Sequence, residues 1–264
     1  MYGLSLLIAW RSRYQVIVCC LYLLLIGVAY GSSQFSGRQP ATVAMDVGIS
    51  FLKLSLPLLI ALLFQDLISK EFERRYFLYS LSYPFNRSRF IISRFMAVFS
   101  IVLAALFFGA LLLQLFVAFV ESTYDQARSV SLGLEYWIAV CFVALDLLVI
   151  ASVSLLLAVV AKTPGFVLLG TIGFSIVARS YGAILDLLSG NIIIVERQEE
   201  YRSTLGLIRI LLPDLGALDM RHIALYDDVS YFPANFGIGL ISVTFFCIAV
   251  LSLSMFLFKR RRLD

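Results

Sequence analysis

Long apolar runs, separated by short polar stretches, are the main pattern of this 264-residue chain. A helix of ~20 apolar residues crosses a bilayer core about 30 Å thick, and the chain offers about six runs near that length. The pattern predicts an all-α polytopic membrane protein with six transmembrane helices in a single transmembrane domain, residues 1–264. The predicted spans lie at about 14–30, 47–64, 90–120, 134–161, 165–188 and 235–258.

The composition points the same way, since 61% of the residues are hydrophobic and only 14% are charged. A soluble domain cannot bury that much apolar surface, so soluble classes of protein are excluded. The third and fourth runs exceed the bilayer thickness, and we expect them to tilt or to protrude from it. Gly27 and Ala29 resemble the small residues of a signal-peptide cleavage site. Because the stretch before Arg11 is apolar rather than charged, we expect the first span to be retained.

Basic residues in the polar stretches predict the orientation, because Lys and Arg resist translocation. Twelve of them fall on one set of loops, and only Arg38 and Arg128 fall on the opposite short loops. The twelve are Arg11, Arg13, Lys70, Arg74, Arg75, Arg87, Arg89, Lys162, Lys259, Arg260, Arg261 and Arg262. Both termini and the connector at residues 65–89 are therefore expected in the cytosol, and residues 196–233 outside.

The connector between the second and third spans carries a helical repeat. Its apolar residues recur at spacings of four, four, three and four, which form one stripe of a helix. They are Ile68, Phe72, Tyr76, Tyr79 and Tyr83. Glu71 stands four residues before Arg75, the favourable order for a helical ion pair, and Pro84 ends the helix. The pattern indicates an amphipathic helix on the cytosolic membrane surface that presents its polar face to a partner, or one that only contacts lipid headgroups.

Two charged residues lie within predicted spans. Asp146 is near the middle of the fourth span, where a carboxylate costs ~2.5 to 3.5 kcal/mol on insertion scales. It is read either as a translocation-path or coupling residue, or as the partner of an interhelical hydrogen bond to a Ser or Tyr. Lys53 lies about 10 Å along the helix from the predicted outer end of the second span. It is expected to extend its amine to the interface, or else to pair, with Asp146 as the obvious partner.

The polar parts of the chain carry no recognisable catalytic or nucleotide-binding motif. A phosphate-binding loop, a dinucleotide fingerprint and the paired histidines of a metalloprotease are all missing, and His222 is the only histidine. The outer segment holds four carboxylates without the dense spacing of a calcium loop, so a solvated surface is expected there. They are Asp214, Asp219, Asp227 and Asp228. If ATP drives this protein, another chain must hydrolyse it.

The connector and its flanks resemble the permease subunits of type 2 ABC exporters. In that family an acidic residue after the second span precedes a Leu-Ser-x-Pro-x-x-Arg stretch and a basic residue that opens the third span. The stretch Leu81-Ser-Tyr-Pro-Phe-Asn-Arg87 matches, as do Glu71 and Arg94. The basic tail after Phe258 and the six-span count add to the resemblance, which covers essentially the whole chain. The chain departs from the pattern at Arg74-Arg75, where many members have a small residue; the subgroup similar to nitrous-oxide-reductase copper-maturation and gliding-type permeases tolerates basic residues there.

This resemblance implies a bacterial inner-membrane protein with two permease subunits side by side, either two copies or a related chain, above two ABC ATPase subunits. The connector would be the coupling helix. The ATPase contact would fall on Glu71, Glu73, Arg74 and Arg75, and the turn into the third span on Tyr83, Pro84 and Arg87. The chain would have no catalytic residue and no cofactor, since ATP and Mg²⁺ belong to the partner. Membrane lipids and a periplasmic protein are further expected partners; nucleic acid is not.

In the same family, re-entrant half-helices follow the fifth span on the outer side. The fifth apolar run here, 165–178, is only 14 residues long before Arg179, Gly182 and Asp186 interrupt it. Re-entrant backbone must be buried in protein or line a water-filled space; the alternative is one long tilted span with a frayed outer end. Arg179 joins Asp146 and Lys53 as a candidate residue of the translocation path.

Two other functions are compatible with the same sequence. An ATP-independent scaffold or assembly protein would use the connector to hold a cytosolic partner that lacks a phosphate-binding loop. A secondary transporter would use Asp146 and Lys53, although no inverted repeat is visible. An intramembrane enzyme is disfavoured because a lone His222 and a lone Asp146 do not form a nucleophile and base pair.

Overall fold

Helices account for nearly all of the chain that the computed structural model describes, namely residue 3 and residues 14–69, 87–123, 130–161, 163–190, 214–226 and 236–260. No β-strand occurs within these ranges. The helices are α1 (Tyr14–Phe35), α2 (Pro40–Phe64), a π-helical turn (Gln65–Ser69), α3 (Arg87–Thr123), α4 (Leu134–Val160), α5 (Pro164–Gly190), α6 (Arg221–Tyr226) and α7 (Phe236–Arg260).

Five of the described helices are long and apolar enough to cross a membrane, which confirms a multi-pass, all-helical membrane protein. They are α1, α2 with the π turn to Ile68, Ser88–Thr123 of α3, α4, and Gly239–Arg260 of α7. The sixth predicted span is not established, because the described apolar stretch of α5, Pro164–Ser180, is shorter than the other five. The helix itself continues without a break to Gly190, so Arg179 and Gly182 do not interrupt it. Residues 191–213, which follow α5, lie outside the described ranges.

Proline positions explain where two helices begin and where one of them is weakened. Pro40 and Pro164 each open a helix, where the missing N–H costs nothing because first-turn donors have no helical acceptor. Pro57 lies inside α2 and removes one intrahelical hydrogen bond. The helix α2 begins seven residues before the predicted start at residue 47. Lys53 is therefore the fourteenth of its 25 residues, near the middle of the helix rather than close to one end.

Neighbouring helices run in alternating directions. The hydroxyl of Tyr14, at the start of α1, donates to Leu62 O (2.9 Å) and Asp66 Oδ2 (2.5 Å) at the end of α2. The rings of Phe90 and Phe258 stack with centroids 6.0 Å apart, which joins the start of α3 to the end of α7. We call the side that carries these contacts the first side of the bundle. The second side carries the α1–α2 turn, the start of α4, and α6.

The centre of the bundle is formed by α2 and α4. Helix α2 packs against α1, α3, α4 and α5, while α4 packs against α2, α3, α5, α6 and α7. Small residues allow the closest approaches: a Cβ atom on Gly48 of α2 would overlap the Leu113 side chain of α3, and one on Gly109 would lie 2.9 Å from Leu52 Cδ2. The core is thus a contiguous apolar contact surface, and any charge within it must find a partner.

Candidate functional site: a buried ionic network

Lys53 forms a buried ion pair at mid-helix depth. Its Nζ atom lies 3.1 Å from Asp219 Oδ2, and its side chain is 9% exposed. Thirteen residues separate Lys53 from Pro40, about 20 Å along the helix axis. The expectation that its amine extends to the membrane interface is therefore wrong. Instead, the carboxylate of Asp219 lies beside the amine in the interior of the bundle. The pairing alternative is correct in kind, but the partner is Asp219 and not Asp146.

Arg221 links the same aspartate to the part of α2 nearer the second side of the bundle. Its guanidinium donates to Asp219 Oδ2 through Nε (3.0 Å) and Nη2 (2.7 Å). Through Nη1 it donates to Asp46 Oδ1 (2.9 Å) and to Ser50 Oγ (2.5 Å). Asp46, Ser50 and Lys53 stand three to four residues apart and share one face of α2. That face holds the residues Asp219 and Arg221 in place.

A second ion pair joins α4 to α5. Arg179 Nη2 lies 2.5 Å from Asp146 Oδ2, and the Asp146 side chain is 1% exposed. The other carboxylate oxygen of Asp146 and the Nε atom of Arg179 are buried without a hydrogen-bond partner among the described residues. The charges of Lys53 and Asp219 also act on the Asp146 carboxylate. The expected interhelical contact of Asp146 is present, but its partner is an arginine rather than a Ser or Tyr; the translocation-path role stays a prediction.

These residues form what we call the ionic network: Asp46, Lys53, Asp146, Arg179, Asp219 and Arg221. Three carboxylates balance three cations, so the network is neutral as a whole. Side-chain exposure falls from 45% at Asp46 through 27% at Arg221, 20% at Asp219 and 9% at Lys53 to 1% at Asp146, while Arg179 is 20% exposed. The network therefore leads from the second side of the bundle to its interior.

Asp219 and Arg221 reach this depth because residues 214–226 enter the bundle, and we call them the inserted segment. Asp214 Oδ1 accepts from the backbone N–H groups of Gly216 (2.9 Å) and Ala217 (3.2 Å), which closes a tight turn. The Leu215 amide donates to Ala178 O of α5 at 3.3 Å. Gly182 lies so close to the Asp214 carboxylate that a Cβ atom there would overlap it. The turn is thus fitted against the middle of α5.

Apolar residues of the inserted segment are buried along with its charges. Leu215, Leu218 and Met220 are all within the core, and α6 follows with three more buried residues, Ile223, Ala224 and Leu225. The Ser131 amide, just before α4, donates to Ala224 O at 3.2 Å. The expectation of a solvated outer surface is therefore wrong for Asp219. Non-helical backbone at this depth is stable because protein surrounds it.

The pairing has opposite effects on the pKa values of the two charged residues of the segment. Burial by itself raises the pKa of Asp219, but the Lys53 and Arg221 charges outweigh it, so that its pKa is lowered. Burial by itself lowers the pKa of Arg221, and the Asp219 and Asp46 carboxylates outweigh it, so that its pKa is raised. Both groups therefore remain charged at neutral pH.

The predicted functional residues divide into two sets. Asp146, Lys53 and Arg179, the translocation-path candidates, lie in the ionic network. The predicted ATPase contacts lie outside the described residues; they are Glu71, Glu73, Arg74, Arg75, Tyr83 and Pro84. Arg87 is the first residue of α3, but its side chain also lies outside the described part. Asp227 and Asp228 do so as well. No group of side chains able to hold a metal ion occurs within the described ranges.

Sequence reasoning missed Asp46, Ser50 and Arg221, and it misplaced Asp219. One available signal was the spacing of Asp46, Ser50 and Lys53, which puts three polar side chains on one helical face. It was lost because the second span was taken to begin at residue 47. Nothing in the sequence indicates that Arg221, in a polar loop, is inserted beside that face.

No family model matches this chain, and no curated protein sequence matches it either. The resemblance to a known family therefore rests on the sequence motifs alone.

Proposed function

We propose that this chain is the transmembrane permease subunit of a type 2 ABC exporter, which exports or flips a substrate across the bacterial inner membrane. The observation that carries a transport function is the ionic network. Charges at membrane depth are costly, and they are retained where they line a path or a moving contact. Here they lead inward from the second side along the inserted segment.

The coupling motif favours an ATPase-driven exporter over other transporters. The stretch ending at Arg87 resembles the family motif, and α3 begins at that residue. The basic residue Arg94 is buried near the start of α3, with its guanidinium 5.1 Å from the centre of the Phe90 ring. It is therefore held beside the Phe90–Phe258 contact between α3 and α7. A movement of the connector driven by the ATPase would be transmitted to the bundle through this contact between α3 and α7.

The proposed division of labour assigns no catalysis to this chain. Two ATPase subunits would hold ATP and Mg²⁺ and would bind the connector. Apolar side chains on the outward faces of α1 and α7, among them Leu23, Leu24, Ile241 and Phe245, suit contact with lipid or with a second permease subunit. Both termini would lie in the cytosol, on the first side of the bundle.

The test is to purify the tagged chain in mild detergent from its native host and to identify stoichiometric partners by mass spectrometry. We expect an ATPase subunit with a phosphate-binding loop. Charge reversal at Glu71 and Glu73 should remove it, while the same reversal at Glu121 and Glu135, on the second side, should not. Equal retention in both variants, or purification without such a subunit, would contradict the proposal.

The ion pairs at membrane depth favour one second candidate, a secondary transporter. Asp146 with Arg179 and Lys53 with Asp219 could couple ion binding to helix movement. The purified chain alone in liposomes with a trapped pH indicator would then carry protons under an imposed membrane potential, and Asp146→Asn would abolish the flux. An exporter without its ATPase should give no flux in either form.

A further inference from the structure

The ion pairs that attach the inserted segment to the bundle can break without leaving most of the charged residues both buried and unpaired. Its backbone makes a single described hydrogen bond to a long helix, from Leu215 to Ala178 of α5. Its described ion pairs to α2 are those of Asp219 with Lys53 and of Arg221 with Asp46. Asp46 and Arg221 are already partly exposed, and they would be solvated if the segment moved outward. Lys53 alone would be left at depth without water.

Asp146 offers Lys53 a replacement partner. One carboxylate oxygen of Asp146 binds Arg179, and the other is buried without a partner among the described residues. The charges of Lys53 and Asp146 already interact. A carboxylate accepts several hydrogen bonds at once, so Asp146 can serve both cations. An uncompensated buried ammonium would otherwise oppose any movement of the segment.

We propose that the inserted segment is a releasable plug on the second side of the bundle, and that Lys53 exchanges Asp219 for Asp146 when the plug leaves. With the plug docked, the pairs are Lys53–Asp219 and Arg179–Asp146. With the plug released, Asp146 pairs with both Lys53 and Arg179. The same charges thus have two discrete pairings, so that the contact between the plug and the bundle has two stable states. The role of the plug in transport rests on the proposed function, whereas the exchange of partners does not.

The plug is tested by the reactivity of a cysteine placed beneath it. In a full-length chain whose cysteines at 19, 20, 141 and 247 are replaced by serine, Ser50→Cys puts a thiol where Arg221 covers the α2 face. A water-soluble methanethiosulfonate reagent is applied to the protein in detergent. Ser33→Cys is the control, since Ser33 is buried near the second side but lies outside the network.

We expect Asp219→Asn to raise the reaction rate at position 50 at least about fivefold, the lower range of measured coupling between sites. The rate at position 33 should not change. An unchanged rate at position 50, or an equal rise at both positions, would overturn the plug. Should Asp219→Asn not give a monodisperse protein, Lys53→Gln removes the same ion pair from α2 and carries the same expectation.

The exchange of partners is tested by repeating the measurement in an Asp146→Asn/Arg179→Gln background, which removes the replacement partner and its cation together. We expect the effect of Asp219→Asn at position 50 to grow by at least about fivefold there, because release in the chain that keeps Asp219 would leave Lys53 without a carboxylate, which holds that chain docked. An effect of the same size in both backgrounds would overturn the exchange. None of these rates depends on ATP or on a partner, so a failed ATPase purification leaves them interpretable.

Discussion

Helices α2 and α4 differ from α1 and α7 in position far more than in apolar character. All four are long and apolar enough to cross a membrane. In their most apolar stretches, 61% of the α2 residues and 67% of the α4 residues are buried inside the bundle, against 22% for both α1 and α7. The central pair carries charges well inside its helices, at Asp46, Lys53 and Asp146. Helix α1 has no charged residue, and those of α7 occupy only its last two positions.

This difference teaches that apolar content decides which segments enter the membrane, while isolated charges decide which of them lie inside the bundle. A charge facing lipid has no partner, but one facing a neighbouring helix can be paired. Helix α5 lies between these two cases, because only one of its sides faces the bundle. Its buried side is a stripe of small and polar residues, and its outward side is apolar. The stripe includes Thr171, Ser175, Ala178 and Gly182.

The largest effect is expected from a variant that breaks the ion pair between Asp146 and Arg179. Asp146→Leu leaves the Arg179 charge without its partner, and we expect unfolding to become easier by about 3–5 kcal/mol. The double variant Asp146→Leu/Arg179→Leu should recover most of that loss, since both charges are then gone. Denaturant titration in mixed micelles measures both. Ser254→Ala in α7 is the control, because that hydroxyl bonds to its own helix at Val250 O. A single variant as stable as the double one would show that the pair is not formed.

Glycine substitutions give the next largest contrast. Gly48→Ala in α2 forces the Leu113 side chain to move, and overpacking of this kind costs about 1–3 kcal/mol. Gly27→Ala in α1 meets no atom within 4 Å, and it should be neutral or stabilising by up to about 1 kcal/mol, because alanine favours helix over glycine. The same titration compares them. Equal effects at the two positions would contradict the central place of α2.

A smaller effect is expected for one buried hydroxyl of α4. The Tyr136 hydroxyl donates to Ala110 O at 2.6 Å, and its side chain is fully buried. Tyr136→Phe should cost about 0.5–1.5 kcal/mol, the usual net contribution of one hydrogen bond. Tyr30→Phe on the exposed face of α1 is the matched change, and it should leave stability unaltered. A loss at position 30 equal to that at 136 would argue against the difference between the two helices.

The smallest effect is the acid response of the inserted segment. Because the pKa of Asp219 is lowered in the folded protein, its contribution to stability is complete above its unfolded pKa of about 3.9 and is lost as the pH falls through the lower folded value. The apparent Tm of the parent should therefore drop between about pH 5 and 3 more than that of Asp219→Asn. The lowered pKa keeps much of the carboxylate charged over this range, so the difference is modest. Identical profiles would contradict the ion pair.

The sequence predicted the membrane helices well because their signal is local. The start of α4 at Leu134 agrees with the prediction, and the end of α2 at Phe64 does so too. It also selected Lys53, Asp146 and Arg179 as unusual, since a charge in an apolar run is visible without any structure. The start of α2 was missed because Asp46 interrupts the apolar pattern, although a helix continues through a paired carboxylate.

The sequence by itself determined that this is a multi-pass helical membrane protein and that three charged residues lie within its apolar runs. Only the tertiary structure decided their partners. Asp219 lies 166 positions from Lys53 in the chain, and no periodicity links a polar loop to the middle of a distant helix. The burial of that loop depends on the shape of α5, where Gly182 leaves room for Asp214. Local free energies of insertion select the helices, whereas packing and charge pairing between distant segments select the network.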